Sequence, residues 1–486
     1  MDTLDLWLQN GSAFLWGYAL LFCLLGTHLY LTIVLRVPQR HLWTSLKLYF
    51  KKEDGDHGDI SQFSSLMVSL AANIGTGNII GVAGAVGIGG PGAIFWCWLT
   101  GVLGMSTRYA EGLLAIKYRV RDSRGRIVGG PMYALSRGLK APWLAAAFAV
   151  LTAIAAFGIG NVTQGNSAAE RMYETFGVPT WMTGAALTLL VAVVLLGGLK
   201  SIARLCSALV PAMAFVYVAG CIYILCVQAD FILPAIETIV AQAFTAGGVS
   251  GGLFGSTMMI AMRAGVSRGL FSNEAGMGSS PIVSAPARTP NPVQQALVAS
   301  TGPFWDTVVV CTLTGLVITT SILAHPDISS TDGDRLTLMA FSKIEGIGSP
   351  LLTISLLTFV ISTVLGWSYF GEKALEYLGG TKMIRPYRVL WVIAVYLGCT
   401  TKSSIVWNFA DCANALMALP NLICLVGLSG VLVAETRRYL WNNQLDAIDP
   451  TPIPAWHHDQ GKPEIVQLAA ERETPHHEAV IERDEE

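Results

Sequence analysis

Ala71-Ala72-Asn73-Ile74-Gly75-Thr76-Gly77-Asn78-Ile79-Ile80-Gly81-Val82 lies inside an apolar run long enough to cross a bilayer, yet glycine and asparagine interrupt it at mid-depth. A glycine weakens a helix by ~1 kcal/mol relative to alanine, and an unpaired backbone group in hydrocarbon costs several kcal/mol. Such an interruption persists only where the freed N–H and C=O groups face protein, water or a ligand. Broken helices of this kind are one way membrane proteins build binding sites. The N-terminus of the second half-helix holds an anion, and unwound carbonyls hold a cation.

The rest of the chain agrees with a bilayer setting. Of 486 residues, 52% are hydrophobic and 13% charged, with a mean hydropathy of +0.52; a soluble domain carries about 25% charged residues. The net charge of −2 gives no sign of a nucleic-acid partner. The cysteines sit in or beside apolar runs, are odd in number and show no metal-ligand spacing, so they read as small buried residues. Met1 to Asn10 holds two aspartates and no lysine or arginine. It lacks the basic region of a signal peptide, so the first apolar run reads as a retained helix.

About twenty apolar residues are needed per crossing. Eleven spans are expected, near 14–35, 62–88, 92–116, 144–167, 181–199, 205–227, 252–280, 296–323, 350–371, 388–407 and 412–434. With the N-terminus (1–13) outside, lysine and arginine crowd the inner loops, at Arg36 to Lys52, Lys117 to Lys140, Lys373 to Arg388 and Arg437-Arg438. The outer loops hold Arg171, Arg335, Lys343 and Lys402. That separation supports the odd count and a cytoplasmic C-terminus. The segment 439–486 is rich in Glu, Asp, His and Pro and reads as a disordered cytoplasmic tail, its His457, His458, His476 and His477 solvated. Phe231 to Phe244 has helical apolar spacing and reads as a short surface helix.

The span leading at 14–35 stands apart. Spans two to six (62–227) and seven to eleven (252–434) form two groups of five, and an odd unit makes them inverted across the membrane. Each group opens on a glycine-interrupted span, the second break falling between Gly255 and Gly278.

Several polar residues inside the spans have chemistry to offer. N–H groups at Gly75-Thr76-Gly77 can bind a carboxylate at the positive end of a half-helix; close packing of small residues is the other reading. Gln164 offers an amide that both donates and accepts, for an ammonium, a carboxylate edge or a neighbouring helix. Ser362 and Thr363 can complete an oxygen shell for sodium, or bond back to their own helix. Trp367, one turn beyond Thr363, can cap a small substrate. Intramembrane charges each cost ~2.5–3.5 kcal/mol at the bilayer centre. Arg108 and Glu111, three apart on one helix, read as a structural pair. Asp306 can bind a cation or a helix end. Glu274, after Ser272-Asn273, can cap the second half of span seven, with Arg263 or Arg268 as its partner.

Asn73 to Asn78, Gly89-Gly90-Pro91-Gly92-Ala93-Ile94-Phe95-Trp96, Tyr109-Ala110-Glu111-Gly112 and Arg268 to Gly276 resemble the alanine or glycine:cation symporter family. So do Pro303-Phe304-Trp305-Asp306-Thr307 and Gly366-Trp367-Ser368-Tyr369-Phe370-Gly371-Glu372. The resemblance runs from about residue 14 to 434; Gly84 stands where alanine or threonine is common. It implies an all-α polytopic membrane protein with a five-plus-five inverted repeat of the LeuT type and one added N-terminal helix. It implies sodium-coupled uptake of small neutral amino acids, chiefly alanine and glycine, across a prokaryotic cytoplasmic membrane. Carried over by motif, Thr76 and Gly77 hold the substrate carboxylate, Asn78 and Gln164 serve its polar end, and Trp367 limits side-chain size. By likeness to the wider superfamily, sodium sits between the carbonyls of Ala71 and Ile74 and the hydroxyls of Ser362 and Thr363. A second cation or gating role falls to Asp306, Asn273 and Glu274.

Two alternatives keep the fold: proton coupling through Glu274 or Asp306, and another substrate such as serine or glutamine. An intramembrane enzyme is disfavoured, because no His/Glu metal spacing or Ser/His/Asp constellation stands in the spans.

Overall fold

A computed structural model describes residues 2–51, 58–244, 254–401 and 403–456. Among them, six helical stretches are long and apolar enough to cross a bilayer: Leu6–Val34, Pro142–Phe176, Gly198–Val227, Pro292–Ala324, Gly348–Thr400 and Val406–Gly427. The pair Gln62–Asn73 and Gly77–Gly89, bent by 52°, makes a seventh. Gly348–Thr400 is two helices, since Gly380 at φ +69° turns the chain between Gly348–Gly379 and Ile384–Thr400. Helices Gly92–Lys117, Thr180–Leu196 and Phe254–Asn273 occupy the remaining expected spans.

Three boundaries differ from the sequence reading. The first span is expected to start at 14, but helix Asp2–Leu15 precedes it and continues into Tyr18–Val34 through Trp16, whose indole N–H donates to Asp411 O at 3.0 Å. Span four runs on to Phe176 through a π-type turn at Gly158–Val162. The break in span seven is longer than the first one. Helix Phe254–Asn273 ends at Glu274 (φ +53°), the chain is unwound through 280, and a single turn, Pro281–Ser284, follows. The expected surface helix is present at Ile232–Phe244, with Ala235, Ile239 and Ala243 buried against the bundle.

Helix Phe254–Asn273 lies very close to Gly92–Lys117, and small residues permit it. A Cβ at Gly265 would stand 2.0 Å from Ala93 O, and one at Gly269 would stand 2.3 Å from Thr100 Oγ1.

The reading of 439–486 as a disordered tail fails over its first part; residues 457–486, with the tail histidines, lie outside the described residues. From Leu445 to Trp456 the chain is a strap across one end of the bundle. Asn291 Nδ2 donates to Leu445 O (2.7 Å) and Ala447 O (2.9 Å), and Asp449 N donates to Pro290 O (2.8 Å). Arg121, in the hairpin Val120–Arg121/Ile127–Val128, accepts from Trp456 N at 2.8 Å and donates to Pro454 O at 2.9 Å. The Trp456 ring meets those of Tyr133 and Tyr377 at 5.4 and 5.9 Å. The segment has no apolar periodicity because backbone pairing and one aromatic anchor hold it. At the same end Asp59 N donates to Pro286 O and Arg288 N to Ile60 O, both at 2.8 Å. A chain ended after Trp456 is expected to melt in detergent like the full chain, and one ended after Asn442 several degrees lower, as read by a thermal ramp followed by size exclusion.

Candidate functional site

The break in span two can be followed bond by bond. In a continuous helix Ala71 O would accept from Gly75 N and Ile74 O from Asn78 N. Instead Gly75 N donates to Asn78 Oδ1 (2.9 Å), and Asn78 N donates to Gly75 O (3.3 Å). Both freed carbonyls turn to one side chain of span nine: Thr363 Oγ1 lies 3.0 Å from Ala71 O and 3.2 Å from Ile74 O. A hydroxyl has one proton to give, so three oxygens converge where that proton must serve two acceptors. A neutral, all-oxygen set is what a hard cation binds. Ser362 is placed differently. Its hydroxyl donates to Phe359 O at 2.8 Å, one turn back on its own helix, and lies 3.4 Å from Met213 Sδ.

On the other side of Gly75 the second half-helix begins. Thr76 N donates to Gln164 Oε1 (3.3 Å), and Gln164 Nε2 donates to Ile159 O in the π-type turn (2.9 Å). Thr76 Oγ1 is buried with no protein partner. A backbone N–H, a hydroxyl and an amide thus meet within one turn of those three oxygens, a set that suits a carboxylate. Gly75 is glycine for want of room: a Cβ would stand 2.6 Å from Thr363 Oγ1 and 3.2 Å from Gln164 Oε1. Gly77 faces Phe271, whose ring edge is 3.1 Å from where its Cβ would be. Trp367 is fully buried, and its indole N–H donates to Glu274 Oε1 at 2.9 Å.

Asn78 is occupied within the protein. Besides accepting from Gly75 N, it donates through Nδ2 to Asp306 Oδ1 (2.7 Å) and Asp306 O (3.1 Å). Asp306 Oδ2 accepts from Ser272 Oγ (2.8 Å) and Thr307 Oγ1 (2.7 Å), so spans two, seven and eight meet on one carboxylate. Asn273 Nδ2 reaches Thr100 Oγ1 and Thr307 Oγ1, and its carbonyl accepts from Asn73 Nδ2 at 3.0 Å. Glu274 pairs with neither arginine expected for it. Its second oxygen takes the Ser279 hydroxyl, while Arg263 donates to Ala13 O.

Arg268 forms a two-pronged pair with Asp411 (3.1 and 3.2 Å) and lies over the rings of Phe271 (5.7 Å) and Trp407 (5.5 Å). The sequence reading missed Asp411 because it started span eleven at 412, whereas the helix begins at Ser403. The aspartate inside a longer apolar window was the available signal.

A helical bundle in which two interrupted helices face each other across buried hydroxyls, amides and freed carbonyls is the architecture of a secondary transporter with inverted repeats. The solved structure of MhsT in complex with L-phenylalanine superposes with a TM-score of 0.59 at 15% identity, over 80% of this chain and 95% of that one, which establishes the fold as LeuT-type. Residues 1–451 match the sodium:alanine symporter family, and the chain belongs to it. The sodium/alanine symporter AgcS of Methanococcus maripaludis is 48% identical over 447 residues, covering 90% of this chain and 98% of that protein. The probable sodium/glutamine symporter GlnT of Bacillus subtilis is 34% identical over 430 residues, covering 87% and 88%. The protein is a sodium-coupled amino-acid symporter of the membrane, and not an enzyme.

Gly75→Ala and Gly84→Ala separate the site from its surroundings, since a Cβ at Gly84 would meet nothing within 4 Å. Gly75→Ala is expected to cut amino-acid uptake at least about ten-fold, the scale of ~1.4 kcal/mol, and Gly84→Ala to leave it near the unmodified rate. Initial uptake rates in proteoliposomes, normalised to inserted protein, check both.

Proposed function

We propose that this protein takes up a small neutral amino acid, alanine or glycine, together with sodium across a prokaryotic cytoplasmic membrane, N-terminus outside and C-terminus inside. The observation that carries the reading is the shared break: Thr363 Oγ1 with Ala71 O and Ile74 O on one side of Gly75, and Thr76 with Gln164 on the other. Sodium is held by the three oxygens, and the Ser362 hydroxyl joins only by leaving Phe359 O. The carboxylate is held by the Thr76 hydroxyl, which has no protein partner, and by Gly77, and the Thr76 N–H joins only by leaving Gln164 Oε1. Gln164 serves the substrate's polar end by giving up its bonds to Thr76 N and Ile159 O, and Asn78 acts indirectly by holding Gly75. Trp367 limits the substrate to a short side chain. Arg268 and Asp411 over Phe271 and Trp407 close the outer side, and the strap with the 120–128 hairpin closes the inner side. Asp306, with Asn78, Ser272 and Thr307, is the place for a second cation.

Alanine is favoured over larger substrates by the relative AgcS, named for sodium and alanine; GlnT, named for sodium and glutamine, makes glutamine the competitor to test. One methylene changes selectivity by only ~1–3 kcal/mol. Radiolabelled alanine uptake into proteoliposomes, under parallel sodium, lithium, potassium and proton gradients, is expected to respond to sodium alone and to be competed by glycine more strongly than by glutamine. Uptake driven by protons alone would transfer coupling to Glu274 or Asp306 and sink the sodium reading. Thr363→Ala is expected to raise the half-activating sodium concentration about ten-fold (~1.4 kcal/mol) while alanine affinity at saturating sodium changes much less; an unchanged sodium dependence removes Thr363 from the ion site.

A further inference from the structure

The unwound segment 274–280 must find hydrogen-bond partners that no helix turn supplies. Gly276 (φ +88°) and Gly278 (φ +84°) are in the left-handed region. Their N–H groups both donate to one atom, Glu111 Oε1, each at 3.0 Å. Asn421 Nδ2 adds a third bond to that oxygen at 2.8 Å and donates to Gly276 O at 2.8 Å. One turn earlier on the same helix, Arg108 Nη2 donates to Asn273 O at 2.6 Å, and its Nη1 lies 3.6 Å from Glu111 Oε2. Arg108 and Glu111 are therefore more than the ion pair their spacing implies. They hold the start and the middle of the break.

The first helix braces this arrangement from behind. A Cβ on Gly276 would stand 3.1 Å from Leu24, 3.4 Å from Leu422 and 3.5 Å from His28. His28 Nδ1 and Thr107 Oγ1 are 2.7 Å apart, and Thr32 Oγ1 donates to Ser106 Oγ at 2.9 Å, next to Arg108 in sequence. The segment so fixed also borders the amino-acid site: Glu274 takes the Trp367 indole N–H, and Ser280 Oγ donates to Asn73 Oδ1 at 3.2 Å.

We propose that Glu111 is a positioning residue for the amino-acid substrate: together with Arg108, Asn421 and the helix outside the repeat, it sets the course of 274–280 and so the wall of the substrate site. This rests on the substrate site proposed above. Glu111 makes no contact with the sodium oxygens of Ala71, Ile74 and Thr363, which belong to other helices. A positioning role therefore predicts a split that general loss of structure does not.

The test measures alanine KM at saturating sodium, and half-activating sodium at saturating alanine, in proteoliposomes. Glu111→Ala strands two buried N–H groups and is expected to raise the alanine KM about ten-fold or more, with half-activating sodium shifted less than about two-fold. Glu111→Gln keeps an acceptor oxygen and is expected to recover most of the affinity; Asn421→Ala is expected to show the same split at smaller size. Equal shifts in both constants, an unchanged alanine KM, or a Gln variant no better than Ala would each overturn the proposal. If Glu111→Ala yields no folded protein, Asn421→Ala decides in the same two ways. The unmodified protein is the control: no sodium-driven alanine uptake there defeats the substrate reading, and the split is then read on whichever amino acid it does carry.

Discussion

Inside hydrocarbon every backbone N–H and C=O needs a partner from the protein, and this chain breaks two helices where that demand is hardest to meet. Side chains take over from helix turns at both places. In span two, Asn78 accepts from Gly75 N, Gln164 from Thr76 N, and Thr363 faces the carbonyls of Ala71 and Ile74. In span seven, Glu111, Asn421 and Arg108 do the same for Asn273, Gly276 and Gly278. The two breaks also serve each other, through Asn73 to Asn273 O and Ser280 to Asn73.

This requirement explains why so many polar groups are buried here at an insertion cost of ~2.5–3.5 kcal/mol for each charge. Asp306 accepts from Asn78, Ser272 and Thr307. Glu111 accepts from two backbone N–H groups and an amide, and Glu274 from an indole and a hydroxyl. Each of these carboxyl groups accepts several hydrogen bonds from different elements, so each is an anchor where several helices meet. Close approach of the helices makes such reach possible, and Gly265 and Gly269 against Ala93 and Thr100 supply it.

Much of this was legible in the sequence for a physical reason. Glycine and asparagine in the middle of an apolar run are costly, so the break at Gly75 to Asn78 follows from that cost, whereas Thr363 opposite Ala71 and Ile74 is implied only by the likeness to the wider superfamily. What was not legible depends on long-range contacts. Glu111 sits three residues from Arg108, and helical spacing makes that look like a self-contained pair; its real partners are 165 to 310 positions away. Asn78 looks free in sequence and is tied to Asp306. The strap from Leu445 to Trp456 has the composition of a disordered tail, because many of its bonds are made by its backbone atoms at Leu445, Ala447, Asp449, Pro454 and Trp456, which composition does not report. Asp411 was hidden by a helix boundary, the feature that hydropathy places least well.

The proposed coupling follows from the order of atoms along the first break. A cation bound to Ala71 O and Ile74 O fixes the last turn of one half-helix. A carboxylate bound at Thr76 fixes the first turn of the next, and Gly75 alone separates them. Either ligand removes conformational freedom that the other would otherwise have to remove, which makes their binding mutually reinforcing without direct contact. The attraction between the positive ion and the carboxylate acts in the same direction over a short, poorly screened distance. Thr363 belongs to the same helix as Trp367, one turn away, so ordering the ion site also orders the side chain that bonds Glu274 in the second break. In the proposed coupling, the Trp367–Glu274 hydrogen bond is the link from the ion site on spans two and nine to the break in span seven.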